Sequence, residues 1–289
     1  MTKASVSEGR YVIATSDDNV TCLSTHRLPF EPKGWLRSMR SDLAEALRAL
    51  PRPSSHLYAR YSSRVTGLAD AENVLFYNVG ASAFTGLATS PVTFGRSFSK
   101  MSDLPHEALY STLPDWISYW MPEVIIADWE MPLSTTRWGT PELKVEHLWL
   151  QMKRARVLGA GAIPAGGYGL RITLNGPAGR SLALMPSVKR LFDGVISGLH
   201  SYVGARLVDV SSRLSSRLAL EPEEASNLLT DERLAPLGKR EVVWPFGTWV
   251  QWNPADGQCM QGILEREFTS SVWQLRAKLY TLSAREGDK

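Results

Sequence analysis

Apolar residues recur at three- and four-residue spacing in some parts of this chain and alternate with polar ones in others, and the two periods divide it into helices and strands. Over Trp35–Leu50, the residues Leu36, Met39, Leu43, Leu47 and Leu50 share one helical face, and Pro51 ends the run. A helix begun by Pro141 and running to about Leu158 carries Val145, Leu148, Trp149 and Met152 on one side. The longest stripe, Val188, Leu191, Phe192, Val195, Leu199 and Val203, predicts a helix from Pro186 to Val203. Ala205–Leu220 repeats the pattern through Leu207, Val210, Leu214 and Leu218, and Pro222 opens a further helix.

Strand signals fill much of the remainder. Tyr11–Ala14, Leu57–Val65, Asn73–Val79 and Pro91–Phe98 are short β-rich runs between polar or Gly-containing turns. Leu170–Leu174 and Ser181–Leu184 flank Asn175-Gly176 and predict a hairpin, and Glu241–Trp252, Cys259–Phe268 and Ser271–Leu282 complete the set. Helix and strand runs mixed in this way predict an α+β fold: a mixed, largely antiparallel sheet with packed amphipathic helices. The Gly-rich segment 159–169 is the natural place for a linker between an N-terminal half, 1–158, and a C-terminal half, 170–289, if the two are not one continuous domain.

Composition narrows the function only by exclusion. With 44% apolar and 21% charged residues in 289, the chain is an ordinary globular protein of one or two domains. A net charge of +3 is too small for a polyanion binder that uses its whole surface, so any basic site must be local. Only two cysteines occur, Cys22 and Cys259, far apart in sequence, which points to a reducing compartment. Lys3 is followed by no long apolar stretch and no run approaches 18 uninterrupted apolar residues, so a cytoplasmic protein without a membrane role is expected.

Several motifs fail on inspection. Gly159-x-Gly161 has Pro164 where a dinucleotide loop needs its third glycine, and no P-loop is present. Ser97-Phe-Ser-Lys100 resembles the segment around the Schiff-base lysine of pyridoxal-phosphate oxoamine synthases. In that family, however, the lysine follows a large parallel α/β domain, whereas Lys100 comes early and after apparent antiparallel strands. Cys22-x-x-x-His26 supplies two zinc ligands where three or four are needed. No cofactor is predicted.

Three constellations remain. On the 186–203 helix, Lys189, Asp193, Ser197 and His200 form a polar edge, with Asp193 and His200 about 10 Å apart along the axis. They line a cleft if they are catalytic; otherwise Lys189 and Asp193 are an i,i+4 ion pair on a solvated edge. The order of strand, hairpin, Asp-bearing helix and a later acidic turn at Asp256 is faintly similar to crossover-junction endonucleases. Those enzymes hold magnesium with about four acids, and here only Asp193 and Asp256 stand as candidates, so a divalent metal belongs to the hydrolytic reading alone.

Arg206, Arg213 and Arg217 fall within about 40° of one another on the next helix, either as a phosphate-binding stripe or with their stems laid over the adjacent leucines. Of ten tryptophans, Trp249 and Trp252 are three residues apart on a strand, which turns their rings to opposite faces and leaves at least one looking away from the core. The leading expectation is therefore a binding or accessory protein using local Arg/Trp surfaces for a protein or nucleic-acid partner, self-association included. The alternative is a hydrolytic enzyme whose cleft is lined by Asp193 and His200.

Overall fold

The computed structural model describes residues 3–7, 9–51, 56–65, 70–87, 90–97, 103–113, 119–158, 167–180, 182–233, 235–254 and 256–285. The first elements are β1 (Lys3–Ser7), β2 (Tyr11–Thr15), β3 (Asn19–Ser24), α1 (Trp35–Ala49), β4 (Leu57–Ser63), β5 (Val92–Ser97), β6 (His106–Ser111) and β7 (Trp120–Pro132). After them come α2 (Val145–Arg154), β8 (Arg156–Leu158), β9 (Tyr168–Asn175), α3 (Val188–Gly198), β10 (Ser201–Tyr202), α4 (Leu207–Leu218) and α5 (Pro222–Thr230). The chain closes with β11 (Lys239–Arg240), β12 (Val243–Phe246), β13 (Trp249–Trp252), β14 (Cys259–Glu267) and β15 (Gln274–Ala284).

Eleven strands form one sheet in the order β1-β2-β3-β6-β4-β5-β14-β9-β15-β7-β8. Among the described residues, the parallel pairs of this sheet are β4 with β5 and β9 with β14, so the fold is α+β with a mixed, largely antiparallel sheet. Strands from late in the chain sit between β5 and β7, and Leu170, Ile172 and Leu174 of β9 are fully buried there. Gly169 and Gly262 are glycines for packing reasons, because the rings of Tyr280 and Phe94 occupy the space a Cβ would need.

The helices pack by the stripes read from the sequence. Met39, Leu43 and Leu47 of α1 and Val188, Leu191, Phe192 and Val195 of α3 enter the main core. On α3, Gly194 lets α2 approach so closely that an added Cβ would lie 2.6 Å from Leu148. Beyond α2, a second apolar cluster gathers Trp149 with Tyr202, Val210, Leu214, Leu229 and Val243, joining α4 and α5 to the β12–β13 hairpin.

Four local expectations are corrected. The segment 73–79 is a π-helical turn over Asn73–Tyr77 and no strand, with Val74, Leu75 and Phe76 all buried. A short apolar run of this kind carries no period to separate the two. Among the described residues, Leu182–Leu184 form no strand, and β9 is flanked by β14 and β15. Asn175 instead accepts hydrogen bonds from the Thr269 and Ser270 amides at 2.9 and 3.1 Å, fastening the loop before β15. The helix expected from Pro141 starts at Val145, because Pro141 bridges Thr135, and Arg156–Leu158 leave it as an edge strand. α3 stops at Gly198, and Ser201 and Tyr202 pair in parallel with β11. Most of the Gly-rich segment, 159–166, and residues 98–100 of the lysine motif lie outside the described residues.

Candidate functional site

Asp193 and His200 leave the same stretch of chain into different surroundings. Asp193 holds the Lys189 ammonium at 2.9 Å, the i,i+4 pair read from the sequence, and the buried Glu72 carboxylate lies 3.6 Å from the same ammonium. His200 lies past the end of α3 and is buried, with Nδ1 3.3 Å from the Gly238 carbonyl. Burial drives its pKa down to about 4, helped by the Arg240 and Lys153 charges and opposed by the Gly238 contact. Lys153, itself buried and lowered to about 8 by desolvation, donates to the His200 carbonyl at 2.6 Å. Asp256 opens the short turn Asp256–Gln258, which packs against α3. Among the described residues, no group of three or more His, Cys, Asp or Glu side chains is placed to hold a metal ion.

The Arg206–Arg213–Arg217 stripe exists on and before α4, but every member meets a carboxylate. Arg206 pairs with Glu241 at 3.0 Å and Arg213 with Asp209 at 2.7 Å, while Arg217 pairs with Glu146. Burial alone would raise the Glu146 carboxyl. The Arg217 hydrogen bond, its own backbone and the charges of Arg217 and His147 outweigh this and hold it below the usual carboxylate range.

These arginines also build the hairpin. Arg213 donates to the Gly247 and Trp249 carbonyls, and the Arg217 guanidinium lies over the Trp249 ring at 4.3 Å. Trp252 turns the other way, half-buried with its ring centroid 5.6 Å from that of the buried Trp149. At the tip, Trp249 remains 57% exposed and Phe246 63%. The face is aromatic and charge-balanced.

A cationic surface without that balance lies on α1. Arg37 and Arg48 are eleven residues apart, hence within about 20° of one another and about 16 Å apart along the axis. With Lys33 and Arg40 they line a groove of about 780 Å³, whose acidic member is Glu31. Among the described residues, no carboxylate lies within 4.0 Å of Lys33, Arg37, Arg40 or Arg48. Of the acids of α1, Asp42 accepts from the Tyr11 hydroxyl at 2.7 Å, and Glu45, three residues before Arg48 and about 60° from it round the helix, comes within 4.0 Å of none of these cations. Arg40 ties the groove to the π-helical turn, donating from Nε to the Val79 carbonyl at 3.1 Å.

These residues were visible in the sequence, with Arg37 and Arg48 on the side of α1 away from Met39 and Leu43, Arg40 on its flank and Lys33 just before it. Spacing alone does not distinguish them from the α4 arginines; the positions of the carboxylates do. No family model and no curated protein matches the chain. No helix among the described residues is long and apolar enough to cross a membrane.

Proposed function

We propose that this protein binds nucleic acid through the groove along α1, with Lys33, Arg37, Arg40 and Arg48 contacting successive phosphates. The observation that carries this reading is a row of four basic side chains, held on one helix and its entry, that meet no carboxylate among the described residues. A guanidinium whose charge a carboxylate already balances attracts a phosphate less strongly than one without such a partner, which counts against the α4 stripe. Fluorescence anisotropy with a labelled oligonucleotide tests it. Arg37→Glu/Arg48→Glu is expected to abolish binding, whereas Arg206→Glu, at a cation already neutralised by Glu241, is expected to retain it. Binding by the α1 double variant equal to that of the unmodified protein would overturn the reading.

A second reading, self-association through the β12–β13 tip, is favoured by the exposed Phe246 and Trp249 on a charge-balanced face. Two copies of such a face meet without uncompensated charge. Sedimentation across a wide concentration range is expected to show dimers that Phe246→Ser/Trp249→Ser converts to monomers. A concentration-independent monomer excludes it.

A further inference from the structure

The α1 groove continues past Phe30. That residue also lines an adjoining pocket of about 380 Å³, together with Arg27, Asp70, Asn73, Tyr77 and Lys189. A volume of this size is in the range of small-molecule sites. Phe30 and Tyr77 lie nearly parallel at its rim, with centroids 5.1 Å apart and planes 7° apart. They are 57% and 50% exposed.

The π-helical turn explains how Tyr77 comes to stand there. Asn78 donates from its amide to the Asn73 carbonyl at 2.8 Å, and the widened turn buries Val74, Leu75 and Phe76 while leaving Tyr77 outside. Such turns are rare and recur at functional sites. The pocket wall beside the rings carries both donors and acceptors. Asn73 Nδ2 is 2.8 Å from an Asp70 carboxylate oxygen, Lys189 lines the wall from α3 while paired with Asp193, and Arg27 meets no carboxylate among the described residues.

A row of cations leading to exposed stacked rings and a polar pocket matches the requirements of an unpaired nucleotide strand. Its phosphates follow the charges, its base faces stack on aromatics, and its base edges need donors and acceptors. A duplex keeps its base faces inside the helix and has nothing to offer the rings. We infer that the polymer bound along α1 is single-stranded, and that one of its bases stacks on the Phe30–Tyr77 pair with its edge toward Asn73 and Asp70. This rests on the groove reading of α1.

The test compares four oligonucleotides of equal length and label: a deoxyribo strand, a ribo strand, an abasic strand with the same phosphates, and a duplex. At least one base-bearing single strand is expected to bind about 5- to 150-fold more tightly than both the abasic strand and the duplex, the range that about 1–3 kcal/mol for one stacked base sets. Phe30→Ala/Tyr77→Ala is expected to erase that preference. Tyr77→Phe, which keeps the ring, is expected to retain it. Both positions are at least half exposed, so the folded state is checked by an unchanged melting temperature. Equal binding of abasic and base-bearing strands, or a preference that survives loss of both rings, overturns this inference while leaving the groove reading intact. No binding of any strand overturns the groove reading itself.

Discussion

Replacing Arg37 and Arg48 by alanine leads to a quantitative expectation for salt dependence. Each phosphate contact on a single strand contributes about 0.7 to the slope of log K against log salt. Four contacts, from Lys33, Arg37, Arg40 and Arg48, set a slope of about −2.8, and the double variant should fall to about −1.4. Between about 50 and 200 mM salt the unmodified protein should then lose about 50-fold in affinity and the variant only about 7-fold. The perturbation is clean because both side chains are exposed, neither meets a carboxylate among the described residues, and alanine is at least as favourable as arginine in a helix. Anisotropy titrations at four or more salt concentrations measure the slopes, with melting temperature as the control. A slope that the double substitution leaves unchanged would refute the assignment of those two arginines to phosphates, and a slope near zero in the unmodified protein would refute the electrostatic mechanism.

Three other outcomes follow from the interior. His200 has a folded pKa of about 4 against 6.5 in the unfolded chain, so on acidification the unfolded state takes up its proton first. Its contribution is complete above pH 6.5 and disappears progressively toward pH 4, about 3 kcal/mol at full extent, and His200→Gln should flatten the denaturation profile in that window. Arg217→Ala removes the partner of the largely buried Glu146 and the cation over Trp249, so urea unfolding should report a loss of about 2 kcal/mol, with the Glu146 pKa rising. Gly169→Ala forces a methyl against the Tyr280 ring in the middle of the sheet and should cost about 1–3 kcal/mol by the same assay; a neutral result would mean that β9 and β15 can separate there.

The helical stripes were legible because each is a local periodic signal. Val188, Leu191, Phe192 and Val195 are buried as read, while the last member, Val203, is exposed because the chain leaves the helix at Gly198. Asn73–Tyr77 was not legible: three consecutive apolar residues fit a buried strand as well as a wide helical turn. The α4 arginines show the limit at the surface. Arg213 and Arg217 lie one turn apart on α4 with Arg206 just before it, but the carboxylates that neutralise them come from Asp209 on the same helix, from Glu146 on α2 and from Glu241 beside β12. Only the tertiary structure brings the last two within reach. The α1 groove required the same information in reverse, namely that neither Asp42 nor Glu45 comes within 4.0 Å of its cations. Sheet order had no local signature, since nothing in Val92–Ser97 announces that its inner neighbour is Gln261–Leu264.

The placement of β14, β9 and β15 between β5 and β7 has a consequence for how the chain is made. Synthesis from the N-terminus completes β1 to β6 early, and these strands are contiguous in the sheet. The β5 edge nevertheless stays open until Cys259–Glu267 has emerged, and Trp120 of β7 waits for Ala284. Pairings this distant in sequence slow folding, and an uncovered hydrophobic edge is a template for the wrong neighbour. A ribosome that stalls before Cys259 therefore holds a nascent chain with an adhesive edge at Val92–Ser97. Refolding yield should accordingly depend on protein concentration more steeply than the size of the native core would suggest.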